Sequence, residues 1–347
     1  MNRRSFLKTL GLAGASLACA PAASAAPAPA PDQGELATLF DLSQCVGCGA
    51  CVEACREANA DRYPEPEKPF PRMYPAAQAK PEDWSDKRGV DDRLTPYNWL
   101  YVQHFSVERQ GAAVELHMPR RCMHCVNPPC ANLCPWGACA KEADGAVRIA
   151  ADLCLGGAKC RQVCPWNIPQ RQTGVGLYLD LLPSLAGNGV MYKCDRCAPR
   201  TARGELPACI EACPFGVQSI GPRAEMVAKA KELAKSMNGF IYGLDENGGT
   251  NTLYVSPVPF AALAAAAPAG PGRPGLGPVA DSMADSNKLA AAVLLAPVAG
   301  LAWTGKDDAR TGAKAAGNRA EAARPDASAA RSGPEKSTQT PEDRHAG

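Results

Sequence analysis

Four runs of closely spaced cysteines constrain this chain more than any other feature. The first is Cys45-x2-Cys48-x2-Cys51-x3-Cys55. The second is Cys122-x2-Cys125-x4-Cys130-x3-Cys134-Pro135, the third Cys154-x5-Cys160-x3-Cys164-Pro165, and the fourth Cys194-x2-Cys197-x11-Cys209-x3-Cys213-Pro214. Each ends in C-x3-C, and three end in C-x3-C-Pro, which makes them an internal repeat. Two or three residues between sulfurs let one tight loop wrap an iron–sulfur cube and place thiolates on three of its irons. The last cysteine of such a run opens a short helix and reaches the neighbouring cube, as in two-cluster bacterial ferredoxins. The proline after it keeps that cysteine extended.

The competing use of so many thiols is a disulfide scaffold or structural zinc. Disulfide scaffolds do not repeat C-x2-C…C-x3-C-P. Zinc sites come in sets of four ligands at other spacings, usually with histidine, and this chain has 4 histidines. His124, inside Cys-Met-His-Cys, reads as a loop residue beside a cluster. With 17 cysteines, 32 glycines and 32 prolines but few aromatic residues, metal rather than a large apolar core must hold the fold together. A formal net charge of +2 gives no global basic field, so nucleic acid is not an expected partner.

The third run departs from the repeat. In register with the first, position 157 should be cysteine, and it is Gly157. Under crossed ligation that cube keeps only Cys154, Cys160 and Cys134, and a cube with three thiolates readily lacks one iron. The expectation is a 3Fe–4S cluster here, with a shifted potential. Cys139, five residues past Cys134, and a water ligand are the alternatives for the fourth position.

The ends carry addresses. Asn2-Arg3-Arg4-Ser5-Phe6-Leu7-Lys8, an apolar stretch from Thr9 to Ala20 and Ala23-Ser24-Ala25 form a twin-arginine signal over residues 1–25. That route carries folded cargo, which suits clusters assembled before export. Leu289 to Gly305 is charge-free and reads as a transmembrane helix, slightly short and containing Pro297. Lys306, Arg310, Lys314 and Arg319 follow it and set a cytoplasmic C-terminus. Residues 306–347 read as a disordered tail, and 261–287 as a Pro/Gly/Ala linker.

Between these lies one domain, 36–260, of α+β class: duplicated bacterial-ferredoxin-like modules with long loops. An insertion at 56–121 is rich in proline and aromatic residues and is either a cover over the clusters or a docking surface. Within it Asn98 to Val107 and Ala113 to Met118 are expected as strands around a Gly111 turn. Residues 165–193 form a second insertion. Arg223 to Met237 is expected as a helix, with Pro222 at its start and Gly239 past its end. Asn251 to Phe260 is expected to run extended. No nucleophile–base pair, phosphate loop or paired carboxylates stand out, so nothing argues for an independent active site.

Cys45-Val-Gly-Cys48, Cys122-Met-His-Cys125-Val-Asn-Pro-Pro-Cys130, Cys164-Pro-Trp-Asn-Ile-Pro169 and Tyr192-Lys-Cys194 together resemble a known family. It is that of the four-cluster ferredoxin subunits of membrane oxidoreductases, which includes the hydrogenase-2 electron-transfer subunit and the β-subunits of formate dehydrogenase and nitrate reductase. The resemblance covers about residues 36–260. It implies three 4Fe–4S clusters: Cys45, Cys48 and Cys51 with Cys213; Cys194, Cys197 and Cys209 with Cys55; and Cys122, Cys125 and Cys130 with Cys164. The nitrate reductase β-subunit resembles this chain in lacking the same third-run cysteine and carries a three-iron cluster. Arg56, where the family has proline after Cys55, and the longer first insertion depart from the pattern. The function implied is electron relay on the periplasmic side of the inner membrane. One partner would be a catalytic or cytochrome redox subunit, the other an integral, quinone-reactive membrane subunit. The alternatives are a subunit with its own catalytic site and a freestanding periplasmic polyferredoxin.

Overall fold

The structure is a computed structural model. It describes residues 34–74, 80–109, 111–184, 188–284 and 286. The expected signal at 1–25, the apolar segment at 289–305 and the tail at 306–347 lie outside the described residues. The chain divides into two compact units, Met1–Asp285 and Ser286–Gly347, and everything below belongs to the first. Among the described residues no helix is long and apolar enough to cross a membrane.

The chain enters on β1 (Leu36–Asp41), whose alternation already separates two environments. Side chains alternate across a strand, and here Ala37 and Leu39 pack on one face while Phe40 joins the cysteine-rich core on the other. The first cysteine run leads into α1 (Ala50–Glu57), entered through Gly49 at φ 80°, a left-handed position that favours glycine. The insertion then forms a hairpin of β2 (Tyr101–Arg109) and β3 (Ala112–Arg120), paired Tyr101↔Arg120 through Arg109↔Ala112. This is the expected hairpin around Gly111. Strand β3 runs past the expected Met118 because Pro119 and Arg120 are held as well: Tyr254 donates to the Pro119 carbonyl at 2.9 Å; β2 starts at Tyr101 instead of the expected Asn98 and runs on to Arg109.

The second and third runs build a module of short elements: α2 (Pro129–Asn132), a hairpin of β4 (Cys139–Lys141) with β5 (Val147–Ile149), and α3 (Lys159–Gln162). A second hairpin, β6 (Gln170–Gln172) with β7 (Val190–Tyr192), encloses α4 (Tyr178–Leu181). The fourth run supplies α5 (Ala198–Thr201) and α6 (Ala208–Glu211). Then come β8 (Gln218–Pro222), α7 (Arg223–Ser236), β9 (Phe240–Tyr242), β10 (Thr252–Ser256) and α8 (Phe260–Ala266).

One sheet, ordered β8-β1-β10-β9, ties the first strand of the domain to its last two, with β1 parallel to β10. Helix α7 covers one face of it: Met226, Ala230 and Ala234 bury against Ala37, Leu39, Leu253 and Val255. The Gly239 N–H closes the end of this helix on the Ala234 carbonyl at 2.8 Å. The opposite face, carrying Phe40 and Tyr254 stacked at 4.8 Å, looks toward the cysteines. Helix α1 packs on α6 and α2 on α3, so the first run pairs with the fourth and the second with the third.

Two segments differ from the sequence expectations. The extended stretch from Asn251 stops at Ser256, because Pro257 and Pro259 cannot continue a paired strand, and Pro259 caps α8 instead. Residues 261–284, expected as a linker, lie folded against the domain. Leu263 and Leu276 are buried, Arg120 donates to the carbonyls of Pro274 and Gly275 at 2.9 and 2.8 Å, and the Leu94 N–H bonds the Gly272 carbonyl at 2.8 Å. The 56–121 insertion acts as a cover. Trp99 and Tyr101 join the core, Arg62 pairs with Asp195 of the fourth run at 2.6 Å, and Glu82 pairs with Arg161 and Arg171 of the third-run region at 2.7 and 2.5 Å.

Candidate metal centres

The cysteines of one run, brought to those of its partner run by the helix pairs, form four groups. Cys45, Cys48, Cys51 and Cys213 line one small cavity, with Val46, Val102, Pro119 and Phe215 around it. Burial, then the charges of Cys209, Cys45, Cys213 and Cys48, pushes the Cys51 thiol up to about 12. Gly47, at φ 71°, must be glycine: a Cβ there would meet the His117 ring at 2.8 Å.

Cys55 is raised by burial and by the charges of Cys209, Cys194 and Cys197, with Arg121 acting the other way; these sulfurs form the second group. Cys122, Cys125, Cys130 and Cys164 line another small cavity beneath Met123, Val147, Trp166, Ile168 and Lys193. In the last group burial and the charge of Cys154 lead in raising Cys160 to about 12, with Cys130 and Cys134 adding to it. Cys134 also acts on Cys154. The sulfurs expected for the first and third groups thus each line one cavity, and those of the second and last act on one another through their charges.

At position 157 a Cβ would meet nothing within 4 Å, so the third run lacks a sulfur but not the room for one. Cys139, the alternative fourth ligand, is buried in β4. Its neighbour Cys130, then burial, raises its thiol, and the charge of Cys160 adds to this, so Cys139 stands near sulfurs of both the third group and the last.

All 16 described cysteines are free thiols. Among the described residues no three His, Cys, Asp or Glu side chains close in around a single metal ion. Thiols raised by burial hold their protons at neutral pH, and only a bound cation inverts this, since coordination deprotonates a thiol outright. The donor sets thus fit iron–sulfur clusters.

Sequence reasoning missed the cations between the second and third groups. Arg121 is fully buried; its Nη1 donates to Cys209 Sγ at 3.4 Å, its guanidinium lies 5.0 Å over the Phe40 ring, and Nε and Nη2 have no partner. Lys193 Nζ donates to the carbonyls of Val147 and Cys194. Burial lowers Arg196 to about 10, assisted by the charge of Arg121. His124 accepts the Val147 N–H at Nδ1, 2.9 Å away. Its hydrogen therefore sits on Nε2, which lies 3.8 Å from Cys194 Sγ. Burial, then the charges of Arg196, Lys193 and Arg121, keeps this imidazole neutral. It is a loop residue beside a cluster group, as its place in the second run suggested. The only signal for the cations was adjacency: Arg121 precedes Cys122 and Lys193 precedes Cys194.

The 4Fe-4S dicluster domain description matches this chain twice, over residues 44–138 and 113–223. The chain belongs to the family of 4Fe–4S dicluster ferredoxins, the iron–sulfur electron-transfer subunits of oxidoreductase complexes. Among particular relatives, it is 32% identical over 270 residues to a protein of Nitratidesulfovibrio vulgaris, covering 76% of this chain and 66% of that one. It is 30% identical over 302 residues to the Hydrogenase-2 operon protein HybA of Escherichia coli O157:H7, covering 75% and 82%. To the iron-sulfur subunit of the nitrate-inducible formate dehydrogenase of Escherichia coli K12 it is 29% identical over 231 residues, covering 64% and 68%.

Proposed function

We propose that this chain is a relay subunit on the periplasmic side of the bacterial inner membrane, carrying electrons between a catalytic or cytochrome redox subunit and a quinone-reactive membrane subunit. It holds three 4Fe–4S clusters, in the groups of Cys45, Cys55 and Cys122, and one 3Fe–4S cluster on Cys134, Cys154 and Cys160. When bound, the clusters supply one-electron storage; the chain orders them in a row, seals them from water and sets their charge.

The observation that carries the reading is the contrast between the ends of the row and its middle. Cys213-Pro-Phe215 and Cys134-Pro-Trp136 leave their aromatic rings 51% and 62% exposed, whereas Trp166 of Cys164-Pro-Trp166 is 2% exposed and bonded to the Tyr242 hydroxyl at 2.8 Å. The outer groups thus carry exposed aromatic rings where partner subunits would dock, and exposed Cys48 belongs to the first of them. Exposed aromatic residues beside a site are a feature of interface cores.

Anaerobic purification of the native protein from membranes tests this. The expected result is about 15 iron atoms per chain, the signal of an oxidised three-iron centre, and co-purification with a large redox subunit and an integral membrane subunit. Protease added to spheroplasts is expected to reach it. A colourless monomer, or one that turns over a substrate alone, would overturn the proposal.

A further inference from the structure

The buried cations between the second and third groups cross over. Arg121 belongs by sequence to the second run, one residue before Cys122, yet it donates to Cys209 Sγ in the group of Cys55. Lys193 belongs by sequence to the fourth run, one residue before Cys194, yet it lines the cavity of Cys122, Cys125, Cys130 and Cys164. Among the described residues neither forms an ion pair with a carboxylate. Arg121 has a sulfur and a ring for partners and two unpaired nitrogens. An uncompensated buried charge costs several kcal/mol, so each cation needs a countercharge in the volume it faces. A cluster held by four thiolates is such a charge, and it becomes more negative on accepting an electron.

We propose that Arg121 and Lys193 are potential-setting residues exchanged between neighbouring centres: Arg121 favours reduction of the cluster held by Cys55, Cys194, Cys197 and Cys209, and Lys193 that of the cluster held by Cys122, Cys125, Cys130 and Cys164. This inference rests on the proposed cluster content and goes beyond it, because it assigns each cation to the centre its own run does not build. The physical basis is that hydrogen bonds to cluster sulfurs, net charge and burial set the potential. A cation at a thiolate favours the reduced state over the oxidised one, and Arg121 and Lys193 are both buried.

The experiment is a potentiometric titration followed by EPR on the intact chain, with signals assigned by Cys209→Ser and Cys125→Ser. Iron and sulfide per chain are measured first. Arg121→Gln is expected to lower the reduction equilibrium of the Cys209 centre at least tenfold, about 59 mV for a one-electron couple, and to leave the Cys125 centre in place. Lys193→Met is expected to do the reverse, and Arg121→Lys to restore most of the loss. A purely structural role would not move one centre selectively and be rescued by charge. Should the neutral variants fail to assemble, native protein grown on arginine labelled with nitrogen-15 in the guanidinium alone decides the matter. The reduced Cys209 centre is expected to show hyperfine coupling to the label. Absent clusters would defeat the proposed function itself. Full cluster content with unmoved potentials, or with no coupling to the label, would overturn this inference alone.

Discussion

Restoring the missing sulfur of the third run is the most direct trial of the cluster assignment. In Gly157→Cys the new Cβ meets nothing within 4 Å, and the backbone there is not in the left-handed region. Gly157 is exposed and its Cβ would face open space, so the side chain is accommodated without displacing a neighbour, on the loop that joins Cys154 to Cys160. Replacing glycine where the backbone tolerates a side chain adds about 0.4–1 kcal/mol through the unfolded chain, so the variant is expected to fold at least as well as the native protein. With four thiolates available, the iron content is expected to rise from about 15 to about 16 atoms per chain. The oxidised three-iron EPR signal should disappear, and a new four-iron signal should appear on reduction. Gly156→Ala is the contrasting substitution. Gly156 has φ 67°, and its Cβ would lie 2.3 Å from the Gly189 carbonyl oxygen, so this neighbour is expected to destabilise the loop and lose iron. A Gly157→Cys protein with its other centres intact, an undiminished three-iron signal and a free thiol at 157 would refute the reasoning. So would native protein without the three-iron signal.

Three further outcomes follow from the packing. Glu82 is pushed up by burial, but its bonds to Arg161 and Arg171 outweigh this and hold it below the usual carboxylate range. A depressed folded-state pKa means that its stabilisation is present above about pH 4.3 and is lost as acid takes the pH down through the lowered value. Glu82→Gln should cost about 1 kcal/mol, given its partial exposure, in chemical denaturation at pH 7, with the cost shrinking as the pH is lowered. Lys141 pairs with Glu35 at 2.5 Å, and Asn251 donates to the same carboxylate at 2.7 Å. Lys141→Met leaves a buried carboxylate half-satisfied and should destabilise by roughly 3 kcal/mol, read as a lower Tm; an unchanged Tm would contradict the buried pairing. Trp166→Phe removes the bond to Tyr242 and should cost about 1 kcal/mol while leaving cluster content intact.

The four cysteine runs were legible in the sequence, because ligand spacing is a local property: two or three residues of chain fix how far apart neighbouring sulfurs can stand. Helix α7 and the β2–β3 hairpin were legible for the same reason, through periodicity, Pro222 and Gly111. The docking of residues 261–284 was not. Its Pro/Gly/Ala composition is that of a spacer, and what holds it is Arg120 reaching carbonyls more than 150 positions away. The insertion was legible as a cover or a dock, and the long-range pairs Arg62–Asp195 and Glu82–Arg161 select the cover.

What the sequence determined by itself is the chemistry: thiols enough for four iron–sulfur groups, with one sulfur short at Gly157. Tertiary structure alone decided which buried cation faces which group, that Cys139 is buried in β4, and that Phe215 and Trp136 are exposed while Trp166 is sealed. The reason is physical. A covalent chain dictates distances only over a few residues, whereas the charge felt by a buried centre comes from whatever the fold packs beside it.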